Sequence, residues 1–381
     1  MLLLKNGKIF TMEDEIICYG DILIDNGRIV HIGHNIQASD IETIDLHHQI
    51  VLPGLIDGST HLGLIESGKK FEGDDVSEKH IPITPHLNTR DGIYPWDECF
   101  DNALRNGVTT VVVNSGHDNV IGSQSCAVKT KRDILEKRII NPFVYIQANL
   151  GDSTKKWNQN KQETPLSRMG IVHLLRKTLL DTQIYIKKKK AGKIDFTNYS
   201  LKYEALEKVI EGKCPLKITA HKAQDILIAI RIKQEFNINI LVDYGTEGYM
   251  VLNELERANI PVFLGSCLTD QSSLELQNRR ADSGHLLSSR GLCTCITTHH
   301  PDVSVELLTL SAAIAVKEGM VYKEALKSIT INPAKALGLD NRIGSIKVGK
   351  DADIVVFDGD PLKSMSKVTM TLINGEIVYK S

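Results

Sequence analysis

Charge of either sign is scarce as an organising feature in this chain. Its 381 residues carry 45 Lys and Arg against 47 Asp and Glu, a net charge of −2. So even a balance supplies no basic face for nucleic acid or for an anionic membrane. No apolar stretch approaches the ~20 residues a membrane-spanning helix needs. The opening Met-Leu-Leu-Leu-Lys-Asn-Gly lacks a basic segment followed by a long apolar core, so no secretory signal is expected. The seven cysteines are odd in number and scattered, which argues against a disulfide framework. Cys293 and Cys295 sit one residue apart inside an apolar run, too close for a zinc knuckle, and read as buried strand. A reducing cytoplasm is the expected setting, with neither nucleic acid nor membrane as partner.

What is present is a regular alternation. Short β-rich apolar runs fall at 50–57, 109–114, 126–130, 143–148, 216–221, 238–244, 261–266 and 293–299. Helical patterns at 201–210, 223–236 and 305–317 lie between or after them. Eight such strands are the number a closed (β/α)8 barrel requires, so the fold class is α/β with a TIM-like barrel. Asn6-Gly7, Asn26-Gly27 and Asn374-Gly375, each flanked by apolar and β-branched residues, predict type I′ hairpins at both ends of the chain. Like hairpins at opposite ends point to one small β-domain built from both termini. The stretch 64–96 has little periodicity and follows the first strand, so it belongs to the barrel mouth. Lys187 to Lys190, after Ile184-Tyr185-Ile186, read as a solvated helix face.

Two segments say more. Val51-Leu52-Pro53-Gly54-Leu55-Ile56-Asp57-Gly58-Ser59-Thr60-His61 is an apolar strand that passes through Pro-Gly and ends in Ser-x-His. Near the other end, Asn332-Pro333-Ala334 precedes Gly338, then Gly344-Ser345-Ile346 and Gly349-Lys350-Asp351-Ala352-Asp353-Ile354-Val355-Val356-Phe357. Pro333 breaks helical continuity and Gly338 suits a helix C-cap. Together these segments resemble the opening and closing motifs of the amidohydrolase superfamily, notably relatives of imidazolonepropionase and dipeptidase-like enzymes. The resemblance implies a composite β-sandwich over 1–52 plus 343–381 and a barrel over 53–342. It also implies metal-dependent hydrolysis of a C–N bond at the C-terminal face of the barrel.

In such relatives the metal ligands are His-x-His after strand 1, a Glu or carbamylated Lys after strand 3 or 4, and one His from each of strands 5 and 6. An Asp after strand 8 is the general base. Here the corresponding positions hold Ser59 and His61, Asn149, His221, Tyr244 and His299. A hydroxyl and a neutral amide are poor ligands for a divalent transition metal. Two readings stay open. One is a hydrolase of a cyclic or other non-peptide amide, with a single divalent ion, zinc, held by His61, His221 and His299. Three imidazoles plus water make an accepted catalytic zinc set; His299 and Asp243 are its candidate catalytic groups, with Asp302 as another base. The other is a catalytically inactive barrel without metal that binds a small molecule or partners an active paralogue. Tyr244 and Asn149 would then hydrogen-bond a ligand where cations sit in relatives. Arg168, after Thr164-Pro165, is expected to grip a substrate carboxylate, and His300 to face the substrate. Lys129 is the carbamylation candidate. Because relatives commonly assemble, a homo-oligomer acting on a small-molecule substrate is expected.

Overall fold

The computed structural model describes residues 1–13, 16–37, 41–67, 71–158, 165–271 and 273–381; Thr164 lies outside them. Strands from both ends of the chain join in one eight-stranded sheet. They are β1 (Leu2–Phe10), β2 (Ile16–Asp25), β3 (Arg28–Gly33), β4 (Glu42–Asp45) and β5 (Ile50–Pro53), with β16 (Ile354–Phe357), β17 (Val368–Ile373) and β18 (Glu376–Lys380). The order is β18-β17-β16-β5-β1-β2-β3, with β4 also on β1. Alternating apolar residues of these strands, among them Leu4, Ile9, Ile22, Ile24, Val51, Ile354, Val356 and Leu372, form a common core.

The hairpin expectation holds at two of its three sites. Asn26 and Gly27 join β2 to β3, and Asn374 and Gly375 join β17 to β18, all four with positive φ. Asn6 and Gly7 do not turn the chain. They form an irregularity inside the continuous strand β1, where the register with β2 shifts between Leu4 and Gly7. The two halves of β1 thereby take different parallel partners on one edge, β4 beside Leu2–Lys5 and β5 beside Lys8 and Ile9.

The middle of the chain supplies β6 (Leu55–Thr60), β7 (Val108–Val113), β8 (Ile121–Gln124), β9 (Cys126–Lys129), β10 (Ile139–Asn141), β11 (Ile146–Asn149), β12 (Leu216–Ala220), β13 (Ile240–Tyr244), β14 (Val262–Gly265) and β15 (Thr294–Thr297). The predicted strand 50–57 is divided at Gly54 between the terminal sheet and β6. A Cβ at Gly54 would stand 2.1 Å from Thr109 Oγ1, so the crossing admits only glycine.

Ladder hydrogen bonds do not close these strands into one barrel. They form a four-stranded sheet, β10-β9-β7-β6, and a six-stranded sheet, β15-β14-β13-β12-β11-β8. β11 to β15 run parallel, as do β6 and β7, which is the α/β pattern expected. The predicted third barrel strand departs from it. β9 is antiparallel to β7 and β8 is antiparallel to β11, so the chain crosses from one sheet to the other at Ser125. Ser125 N and Tyr145 O are bonded at 2.9 Å there. On the other side β6 and β15 are tied by side chains: Thr298 N (3.1 Å) and Thr298 Oγ1 (2.5 Å) donate to Asp57, as does Thr297 Oγ1. No helix among the described residues is long and apolar enough to cross a membrane.

Candidate active site

Loops beyond the C-terminal ends of β7, β11, β12, β13, β14 and β15 line a cavity of about 620 Å³. Its wall includes His117, Asn149, His221, Tyr244, His299 and Asp302. This end of parallel strands is where backbone loops can vary without disturbing the packed strands beneath.

Beneath the wall sits a buried charge cluster. Lys217 on β12 and Asp243 on β13 are both fully inaccessible, with Nζ 2.9 Å from Oδ1. His299 Nε2 meets the same oxygen at 2.9 Å, and Ser59 Oγ donates to Oδ2 at 3.3 Å. Burial pushes the Asp243 carboxyl up, but Lys217, His299 and His117 outweigh it and hold the group well below the usual carboxylate range. The Lys217 ammonium also lies over the rings of Phe263 (4.5 Å) and Tyr145 (4.9 Å).

Hydrogen-bond partners fix the tautomers. A carboxylate only accepts, so the His299 Nε2 beside Asp243 carries a proton, and in the neutral imidazole Nδ1 keeps its lone pair. That Nδ1 is buried and has no hydrogen-bond partner. His61 Nδ1 donates to the carbonyl of Asn114 at 2.7 Å. Asn149 Nδ2 donates to the carbonyl of Asn119 at 2.7 Å, which leaves its Oδ1 to accept from His117 Nδ1 at 3.2 Å. Hence His61 and His117 each hold an unprotonated Nε2. Burial, and then the neighbouring His117, lowers His61 to about 3. His221, whose Nδ1 is 2.8 Å from Thr246 Oγ1, is likewise lowered to about 3, chiefly by burial. His117 is lowered by burial as well.

Tyr244 ties the two parts together. Its ring stacks on His299 at 3.7 Å and packs on His221 at 4.4 Å. Its hydroxyl donates to Asp302 Oδ2 at 2.7 Å and lies 3.3 Å from His117 Nε2. Tyr244 and His299 both adopt positive φ, 65° and 48°. Non-glycine residues in that region cost of order 1–3 kcal/mol and gather at functional sites.

The structure therefore brings Asp243, His299 and Tyr244 together at the cavity and corrects other expectations. Arg168 does not line the cavity: its Nε is held by the buried Asp225 at 2.9 and 3.1 Å, which joins the helix Arg168–Lys190 to the helix Ala223–Phe236. His300 is a packing residue, its Nδ1 accepting from Val305 N at 3.3 Å. Asn149 stands in the wall with its amide committed to backbone carbonyls, His117 and Gln147. Lys129 is no carbamate site, because its ammonium is buried between Asp353 and Asp351 (3.2 Å from the latter), at the junction with the terminal sheet. Sequence reasoning missed Lys217 and His117. A lysine between apolar residues of a buried strand, and a histidine just past the end of β7, were the available signals.

The Amidohydrolase family matches residues 50–378, so this chain belongs to that family, whose members are hydrolases of C–N bonds. The crystal structure of an amidohydrolase from Thermotoga maritima MSB8 superposes with a TM-score of 0.96 at 36% identity, covering 100% of both chains. Amidohydrolase tasK of Hapsidospora irregularis is 24% identical over 90% of this chain, which spans only 38% of that protein's length. A dihydroorotase of Carboxydothermus hydrogenoformans is 25% identical over 98% of this chain and 92% of its own.

Amidohydrolases usually bind divalent metals, and the donor set here does not fit one. His61, His221 and His299 are not gathered as ligands: His299 gives Nε2 to Asp243, and its ring and that of His221 pack on Tyr244. Among the described residues no group of three or more His, Cys, Asp or Glu side chains is arranged to hold a metal ion. The buried carboxylate Asp243 already has Lys217 as its counter-ion.

Proposed function

We propose that this amidohydrolase-family protein hydrolyses a C–N bond of a small molecule without a catalytic metal, using His299 as general base and Asp243 to orient it. The observation that carries the reading is the His299 imidazole itself. Nε2–H is anchored on Asp243 at 2.9 Å, while the buried Nδ1 has no partner and the residue lines the cavity. In that tautomer Nδ1 can take a proton from water as the water oxygen attacks the scissile carbon. The resulting imidazolium, stabilised by Asp243, then returns the proton to the departing nitrogen as the C–N bond breaks. Lys217 pairs with the same carboxylate oxygen and keeps it ionised.

A second reading, a barrel that binds its ligand without cleaving it, draws support from the same ion pair, since Lys217 weakens the pull of Asp243 on His299. The test that separates them is a chelator-treated preparation assayed against cyclic amides and dipeptide-like amides. Turnover that falls about 10²–10⁴-fold in His299→Gln, at unchanged thermal stability, supports the hydrolase. Turnover indifferent to His299, or seen only after metal is added back, contradicts it.

A further inference from the structure

Three ring and hydroxyl atoms on the His299 side of the cavity are acceptors when the imidazoles are neutral. His117 Nε2 is a lone pair, because Nδ1–H is spent on Asn149 Oδ1 and Thr219 Oγ1, the latter itself taking a proton from Gln147 Nε2. Tyr244 gives its proton to Asp302 at 2.7 Å, so the phenolic oxygen is left to accept. His299 Nδ1 is a third acceptor, in a residue only 2% exposed, and it lacks a partner. The Tyr244 oxygen and His117 Nε2 lie 3.3 Å apart with no proton assigned between them. Two acceptors held so close repel unless a donor bridges them. Beside them stands the carboxylate of Asp302.

The arginines in the same wall are committed elsewhere: Arg279 donates to Thr269, and Arg280 to Asp282 at 2.6 and 2.8 Å. On the His117–Tyr244 side an anionic ligand would meet acceptors and the Asp302 carboxylate.

We infer that the wall formed by His117, Tyr244 and Asp302 recognises a planar, donor-rich nitrogen group of amidinium or guanidinium type on the substrate. One N–H bridges the Tyr244 oxygen and His117 Nε2, and the positive charge faces Asp302. Burial lowers His61, His117 and His221, so these imidazoles bring no like charge against such a group. The inference deepens the proposed hydrolase by naming its substrate class, and it shares with that proposal only the location of the pocket.

Three isosteric probes test it on the full-length protein in EDTA: benzamidine, benzamide and benzoate, followed by calorimetry and thermal shift. Benzamidine is expected to bind and stabilise, benzamide to bind at least about tenfold more weakly, and benzoate not to bind, as befits charge-assisted donors facing a carboxylate. Asp302→Asn should cost benzamidine about tenfold or more, and Tyr244→Phe, which keeps the ring on His299, should weaken it as well. Benzoate binding as well as benzamidine, failure of all three to bind, or full benzamidine affinity in both variants overturns the inference. Because binding is read without turnover, a catalytically silent protein that prefers benzamidine would sink the hydrolase and spare this assignment. Turnover of neutral amides with no preference for benzamidine would do the reverse.

Discussion

Lys217 and Asp243 form an ion pair of 2.9 Å with no solvent access to either side chain. Taking two charges out of water is costly, and the pair persists because each compensates the other. Lys217→Met removes the cation and strands the carboxylate, so urea unfolding should show a loss of about 3–5 kcal/mol. Adding Asp243→Asn to that variant should restore much of the loss. A single variant as stable as the parent would mean that Asp243 is compensated in another way.

His61 and His221 give stability a pH dependence of known sign. Both are lowered to about 3 by burial in the folded protein, whereas an unfolded histidine titrates near 6.5. Between these values the unfolded chain binds protons that the folded chain does not, so stability rises with pH there. Unfolding free energy should therefore fall as pH drops from about 6.5 toward 3, by up to about 1.4 kcal/mol per pH unit for each histidine. Replacing His61 by Gln should shallow that slope in parallel denaturation curves from pH 7 to pH 4. An unchanged slope would place the proton uptake elsewhere.

How far the sequence carried the fold depends on whether the determining forces were local. Asn26-Gly27 and Asn374-Gly375 make their turns because two positive-φ residues suffice. Asn6-Gly7 has the same local chemistry, yet β1 continues through it, because its edge is claimed by β4 and β5. The parallel strands from β11 to β15 followed from their apolar runs. The reversal of β8 and β9 did not, since strand direction is a tertiary choice that periodicity cannot encode. At the site, Asp243, Tyr244 and His299 stood out because motifs surround them. Arg168 misled because its partner, Asp225, is 57 residues away in sequence. Which nitrogen of His117 or His299 is free depends on contacts with Asn149 and Asp243, visible only in three dimensions.

Gly265 controls the stack on which His299 rests. A Cβ there would lie 2.9 Å from Tyr244 Cδ1. Gly265→Ala should displace the phenol ring, costing about 1–3 kcal/mol in stability. It should also weaken benzamidine binding more than a remote substitution of equal destabilisation would. Thermal unfolding and calorimetry on the same preparation give both numbers.

Lys129, by contrast, is not among the residues that line the cavity. Its ammonium lies between Asp351 and Asp353, and Arg342 Nη2 also reaches Asp351 at 2.8 Å. Lys129→Met should lower stability by about 3–5 kcal/mol, chiefly through the Asp353 carboxylate left without its ammonium. Benzamidine affinity at a temperature where the variant is folded should stay unchanged. A change in affinity would show that this junction couples to the cavity.

In the proposed reaction the Asp243–His299 pair, not a bound cation, supplies the catalytic base. Elemental analysis of protein purified without chelator, paired with amide hydrolysis before and after EDTA dialysis, tests it most directly. Well under one transition-metal ion per chain is expected, with turnover that survives dialysis but is lost in His299→Gln. Close to one zinc per chain, with activity that vanishes on dialysis and returns with zinc, would contradict it.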